Sequence, residues 1–152
     1  MRTRDERIAA LGKVPLLAGL SKQELGRILR IGNEVEFTPG SVIVSAGDRA
    51  RDFYLLLTGK AELKVPGGRT ATLPPGDYFG EISVLDGGPR TATITAVTRV
   101  SALRIDRKDF VPLLDANGSM GRKILVETAK HLRAATPKGR VGPKLAAPAG
   151  PV

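Results

Sequence analysis

Between Phe79 and Thr93 the chain reads FGEISVLDGGPRTAT, a short stretch with a particular set of polar groups. Tyr78-Phe79-Gly80 reads as the end of a strand or turn, Glu81 to Leu85 as a single helical turn, and Gly87-Gly88-Pro89 as a loop that delivers Arg90 into the next strand. Main-chain N–H groups in the first turn of a helix have no partner within the helix, and they suit a phosphate. Arg90 adds a forked, permanently charged donor for the same oxygens. Glu81 can accept a hydrogen bond from a sugar hydroxyl, and Ser83 and Thr91 supply small hydroxyl donors. At Gly80 no Cβ stands between the backbone and a ligand. One at a time these residues have plainer readings. Gly80 could be a turn glycine only, and Arg90 and Glu81 could be partners in a surface ion pair.

The same sequence is poor in catalytic groups. It has no cysteine, which excludes disulfides, thiolate nucleophiles and cysteine-based zinc sites. His131 is its single histidine, so the clustered imidazoles of a β-barrel metalloenzyme cannot be assembled. Neither a Ser-His-Asp arrangement nor a phosphate-cradling Gly-rich loop with lysine is found. The expectation is a binding protein, with no catalytic residue and no metal.

The elements that must position residues 79–93 are legible from periodicity. Residues 5–18 read as helical. Ser21 and Glu24 form a capping box that opens a second helix to about Ile31. From Glu34 onward, β-rich runs alternate with Gly, Pro and Asp. The expected strands are Glu34–Phe37, Ser41–Val44, Asp52–Thr58, Lys60–Val65, Thr70–Leu73, Thr91–Val97 and Ser101–Ile105. Pro66-Gly67-Gly68 should close a hairpin and Pro75-Gly76-Asp77 should form a further turn. Evenly spaced short strands of this kind make a sandwich, jelly roll or barrel. Asp106 is placed to cap a helix over Arg107–Leu114, and Asn117 or Ser119 a longer one to about Ala135. The last stretch, 136–152, holds 4 Pro, 3 Gly, 3 Ala and 3 basic residues, a composition expected to be disordered.

The net charge of +9 is unevenly spread. Residues 1–30 carry 7 basic and 3 acidic side chains, residues 118–152 carry 7 and 1, and the middle of the chain 10 and 11. Basic ends can attract an acidic partner, but no aromatic residues interleave with the charges as on a single-strand stacking platform. Direct nucleic-acid binding is therefore not expected, and a 17-residue tail is too short for a recognition module. The longest uncharged run, Phe37 to Gly47, is broken by Pro39 and Gly40, too short for a membrane span. No apolar stretch follows the basic start, so neither a signal peptide nor export is expected, and a cytoplasmic protein is the expectation.

The segment closely resembles the phosphate-binding cassette of cyclic nucleotide-binding domains, found in catabolite-activator-type regulators, protein kinase A regulatory subunits, cGMP-dependent kinases and cyclic nucleotide-gated channels. Phe79, Gly80, Glu81, Ile82 and Ser83, then Pro89, Arg90, Thr91 and Ala92, fit that pattern. So do Leu16–Ser21, Pro39-Gly40, Ala46-Gly47-Asp48, Phe53–Gly59 and Gly76–Phe79, so the likeness runs over about residues 12–135. It implies a mainly β fold with flanking helices: a double-stranded β-helix (jelly-roll) barrel at 33–106, N-terminal helices at 1–32 and C-terminal hinge and lid helices at 107–135. It also implies cAMP or cGMP as the ligand, with Glu81 on the ribose 2′-hydroxyl and Arg90 on the phosphate. Thr91 is similar to the residue that reaches guanine in cGMP-preferring relatives, although cAMP sites also use Ser or Thr there. Base contacts in this family often come from the last helix, which makes Lys130, His131, Leu132 and Arg133 the lid candidates. The binding event would pass to an effector protein or to a self-dimer formed through the terminal helices.

Overall fold

The computed structural model describes residues 3–135; the tail expected to be disordered lies outside the described residues. Helix α1 (Arg4–Gly12) is opened by Thr3 and α2 (Lys22–Ile31) by Ser21. Each start is a reciprocal capping box, completed by Glu6 and Glu24 respectively. The expected single helix over 5–18 is two pieces. Val14 is held extended before Pro15, which cannot continue a helix and instead starts a 3-10 turn, Pro15–Leu17.

The strands are β1 (Asn33–Phe37), β2 (Val42–Val44), β3 (Asp52–Thr58), β4 (Ala61–Lys64), β5 (Thr70–Leu73), β6 (Tyr78–Phe79), β7 (Thr93–Ala96) and β8 (Val100–Asp106). They form two four-stranded antiparallel sheets, ordered β1-β8-β3-β6 and β2-β7-β4-β5, in the expected jelly-roll layout. The hairpin at Pro66-Gly67-Gly68 joins β4 to β5, with Gly67 in the left-handed region at φ 66°.

Strand β3 shows why its sequence is nearly continuous in apolar residues. Tyr54 and Leu56 face the core between the sheets, with Val44, Phe79, Ile94 and Ala102. Phe53 and Leu55 face the opposite way, into a second core built with Leu11, Leu17, Ile28, Phe110, Leu113, Met120 and Ile124 from the helices. A strand covered on both faces loses the polar half of its alternation.

Two helices follow β8. Helix α4 (Arg107–Ala116) runs two residues past the expected end, through Pro112, and α5 (Gly118–Ala135) follows at once. Asp106 stands at the N-cap but makes no capping bond; it lies opposite Asp52 across the β3–β8 ladder, where burial first and this second carboxylate next raise the Asp52 pKa. Asn117 is the elbow between α4 and α5. It is buried, and its amide turns back to donate to Leu113 O at 3.0 Å. Among the described residues no helix is long and apolar enough to cross a membrane.

Candidate functional site

The loop from β6 to β7 contains helix α3 (Glu81–Asp86), with a left-handed glycine at each end, Gly80 at φ 93° and Gly87 at φ 75°. Gly80 is needed for a reason internal to the protein. A Cβ there would lie 2.5 Å from Asp52 O and 2.6 Å from Arg90 Nη1, in addition to the strain of its φ. At the other end the Gly87 N–H donates to Ser83 O at 3.0 Å, and the Gly88 N–H to Asp86 Oδ1 at 2.7 Å. Both ends of the loop are thus held by glycine geometry and main-chain bonds, with Gly80 O at the start of α3 within reach of Arg90 Nη1.

Arg90 does not begin β7 as the sequence suggested. Its own N–H donates to Asp48 O at 2.7 Å and its carbonyl accepts from Gly47 N–H at 2.8 Å. The chain is therefore pinned to the 45–48 turn, and β7 starts only at Thr93. The side chain is 4% exposed. Its Nη1 reaches Gly80 O at a marginal 3.5 Å, its Cζ lies 6.0 Å from the centre of the Tyr54 ring, and its Nε and Nη2 are buried without a hydrogen-bond partner. Burial pushes its pKa down, while Tyr54, Asp52, Asp48 and Glu81 push the other way. The ion pair that would have been the plainer reading is not formed: among the described residues no salt bridge includes Arg90 or Glu81. Burial raises the Glu81 carboxyl above the ordinary range, opposed by its own main-chain N–H, the Arg90 charge and the Ile82 N–H.

These groups lie on the wall of a cavity of about 830 Å³, a size suited to a small organic ligand. Phe79, Gly80, Glu81, Ile82, Ser83, Arg90 and Thr91 all reach that wall. Phe79 also stacks on Tyr54 at 5.0 Å between ring centres. Of the four lid candidates, only His131 reaches it. Lys130 turns to Glu127 at 3.4 Å, while Leu132 and Arg133 are exposed and outside the cavity wall. The face that α5 gives to the cavity is instead Arg122, Lys123, Val126, Glu127 and His131. Helical spacing could have found it, because buried Met120 and Ile124 mark the core-facing side and these positions flank it. The opposite wall, Leu63, Arg69, Ala71 and Thr72 of the β4–β5 hairpin, left no mark in the sequence beyond strand alternation.

The sequence model of the cyclic nucleotide-binding domain matches residues 34–117. The chain belongs to that family. The cyclic nucleotide-binding domain here is 38% identical over 108 residues to the cAMP-dependent protein kinase regulatory subunit of Aspergillus niger, covering 70% of this chain and 26% of that protein. It thus spans about a quarter of the length of the curated relatives it matches. Among solved structures it is similar to the catabolite activator protein of Thermus thermophilus, with a TM-score of 0.70 and 32% identity over 80% of this chain and 59% of that one. It is also similar to the regulatory domain of Toxoplasma gondii PKA with cAMP, with a TM-score of 0.71 and 27% identity over 84% and 49%.

Two tethers connect the domain's cavity to its helices. Arg107 Nε, at the start of α4, donates to Val84 O of α3 at 2.9 Å. Lys123 Nζ of α5 donates to Pro15 O and Ala18 O at 3.0 Å each, and Pro15 and Leu16 are themselves cavity wall.

Proposed function

We propose that this domain binds a cyclic purine monophosphate, cAMP or cGMP, and signals through movement of α4 and α5 rather than by chemistry. The observation that carries the reading is Arg90, a buried guanidinium with two donor atoms unpartnered beside the start of α3. A buried cation with unmet donors is costly unless an anion completes it. In this reading the cyclic phosphate takes Arg90 and the first-turn N–H groups of α3. Glu81 takes the ribose 2′-hydroxyl, Ser83 and Thr91 supply hydroxyls at the rim, and Phe79 and Ile82 give apolar contact. The base lies toward the β4–β5 hairpin under α5, where His131 is placed to meet its edge.

The cAMP-dependent relatives favour cAMP over cGMP as the first ligand to test. Phosphate drawn onto α3 acts on α4 through Arg107 and Val84, and α5 follows through the Asn117 elbow. Ligand shifts this equilibrium only by its differential affinity for the two arrangements, typically about 1–3 kcal/mol. The receiver is an effector protein or a second copy. Leu125, 68% exposed on α5, supplies apolar surface for either. The domain is then a regulatory, non-catalytic, cytoplasmic module, and coverage of only a quarter of its relatives' length suits a role inside a larger assembly. Calorimetric titration with cAMP, cGMP and 5′-AMP tests the proposal. Saturable binding of a cyclic nucleotide, with 5′-AMP much weaker, is expected. A folded sample that ignores both cyclic forms at millimolar concentration overturns it.

A further inference from the structure

A second polar group in the cavity wall is buried and unsatisfied, and the cyclic phosphate and ribose do not account for it. Tyr78 precedes the cassette on β6. Because strand side chains alternate, Phe79 enters the inter-sheet core while Tyr78 faces the helices. Its ring packs against Phe53 at 5.7 Å between centres, and Phe53 stacks on Phe110 of α4 at 4.2 Å. The ring is therefore the end of an aromatic row that runs from Tyr78 through Phe53 of β3 to Phe110 of α4. Its hydroxyl is buried without a hydrogen-bond partner among the described residues.

Three carboxylates share the cavity wall with Tyr78: Glu81, Glu127 and Asp77. Together with burial, the larger influence, they push its pKa well above that of a free phenol. A neutral phenol O–H beside carboxylates is a donor waiting for an acceptor. Glu81 is already drawn toward its own N–H, Arg90 and the Ile82 N–H. Asp77 belongs to the tight turn before β6, where its N–H donates to Pro74 O at 3.2 Å. Glu127 is different. It stands on α5 in the cavity wall, and its partner is Lys130 at 3.4 Å, with the two side chains 47% and 69% exposed. A pair that exposed contributes little.

We infer that Tyr78 is the latch point of the lid helix: in the ligand-bound state its hydroxyl donates to the carboxylate of Glu127, fastening α5 to β6 beside the cassette. This rests on the cyclic nucleotide reading above. The bond satisfies a buried donor that is otherwise unmet, so it favours the closed arrangement. It forms after the ligand has entered, so it acts on escape rather than on entry. Tyr78 is thus a positioning residue that touches neither phosphate nor sugar.

The test measures association and dissociation rates of cAMP, and of cGMP, by stopped-flow displacement of a fluorescent cyclic nucleotide. It uses the wild type, Tyr78→Phe, Glu127→Ala and the double variant. Each single change is expected to raise the dissociation rate about fivefold to tenfold, the effect of one net hydrogen bond, with association unchanged. The double variant should be no faster than the singles. Free Tyr78→Phe should melt no lower than the wild type, since it loses only an unsatisfied hydroxyl. An unchanged dissociation rate in Tyr78→Phe overturns the latch. So do single effects that multiply in the double variant. A wild type that binds neither nucleotide fails the binding reading itself, and the latch with it; a wild type that binds with these cycles additive fails the latch alone.

Discussion

Replacing Arg90 by methionine separates what this side chain does for the fold from what it does for the ligand. In the free protein the guanidinium is almost wholly buried, with Nε and Nη2 unpartnered. Each buried unsatisfied donor costs about 1–3 kcal/mol. Set against that are one marginal bond to Gly80 O at 3.5 Å and a cation–ring contact at 6.0 Å from Tyr54. At the outer limit of its range such a ring contact is worth about 0.5–1 kcal/mol. Methionine fills similar volume with a flexible apolar chain. The free variant is therefore expected to be more stable by about 1–3 kcal/mol, which is a rise in Tm of several degrees at this chain length. Binding should change oppositely. A buried anion left without its cation loses about 3–5 kcal/mol, or roughly two to four orders of magnitude in Kd. Differential scanning calorimetry with and without cAMP reads both effects. The wild type at a hundredfold excess over Kd should gain about 2.7 kcal/mol from ligand, and the variant should gain none at the same concentration. If free Arg90→Met melts below the wild type, the guanidinium is a structural tie; if it also keeps its ligand shift, the site has been misassigned.

Further expectations concern the groups around Arg90. Gly80→Ala puts a Cβ against Asp52 O and Arg90 Nη1 at a positive φ, so it should cost at least about 1–3 kcal/mol of stability, visible as a lowered denaturant midpoint. Glu81, Asp52 and Asp77 all have carboxyl pKa values raised by burial first. Each therefore binds its proton more tightly folded than unfolded, so stability should fall as pH rises from the unfolded values near 4 through the raised folded ones. Glu81→Gln should flatten that slope in a series of Tm measurements between pH 4 and 7 and raise Tm at neutral pH, while weakening nucleotide binding. A slope unchanged in Glu81→Gln would show that the carboxyl does not titrate in this window. Lys123→Ala removes both bonds to the 3-10 turn. Amides of residues 118–135 should exchange faster with deuterium while the strands keep their protection; uniform acceleration throughout the chain would contradict a local tether.

Much of the cassette was readable because its chemistry is contiguous. Gly80, Glu81 and Arg90 lie within one loop, which turns at Gly80 and Gly87, so they stay near one another whatever surrounds them. The start of α2 was readable for the same reason, since Ser21 and Glu24 cap each other three positions apart. The lid was not. Lys130, His131, Leu132 and Arg133 share a helix, but which of them meets the cavity depends on the roll of α5 about its axis. That roll is set by Met120 and Ile124 entering a core with Phe110 and Leu17, and by Lys123 reaching a carbonyl at Pro15.

Local order along the chain thus determined what the molecule is equipped to grip. Capping pairs, turn glycines and a compact run of one carboxylate and one guanidinium act over a few residues, and the sequence carries them intact. Tertiary structure decided the state of those groups. Only packing of β3, β6 and the 45–48 turn around Arg90 excludes water from it and leaves two of its donor atoms unmet, and only the docking of α5 brings Glu127 to the cavity wall that holds Tyr78. Desolvation and orientation come from neighbours distant in sequence, so no reading of adjacent letters contains them.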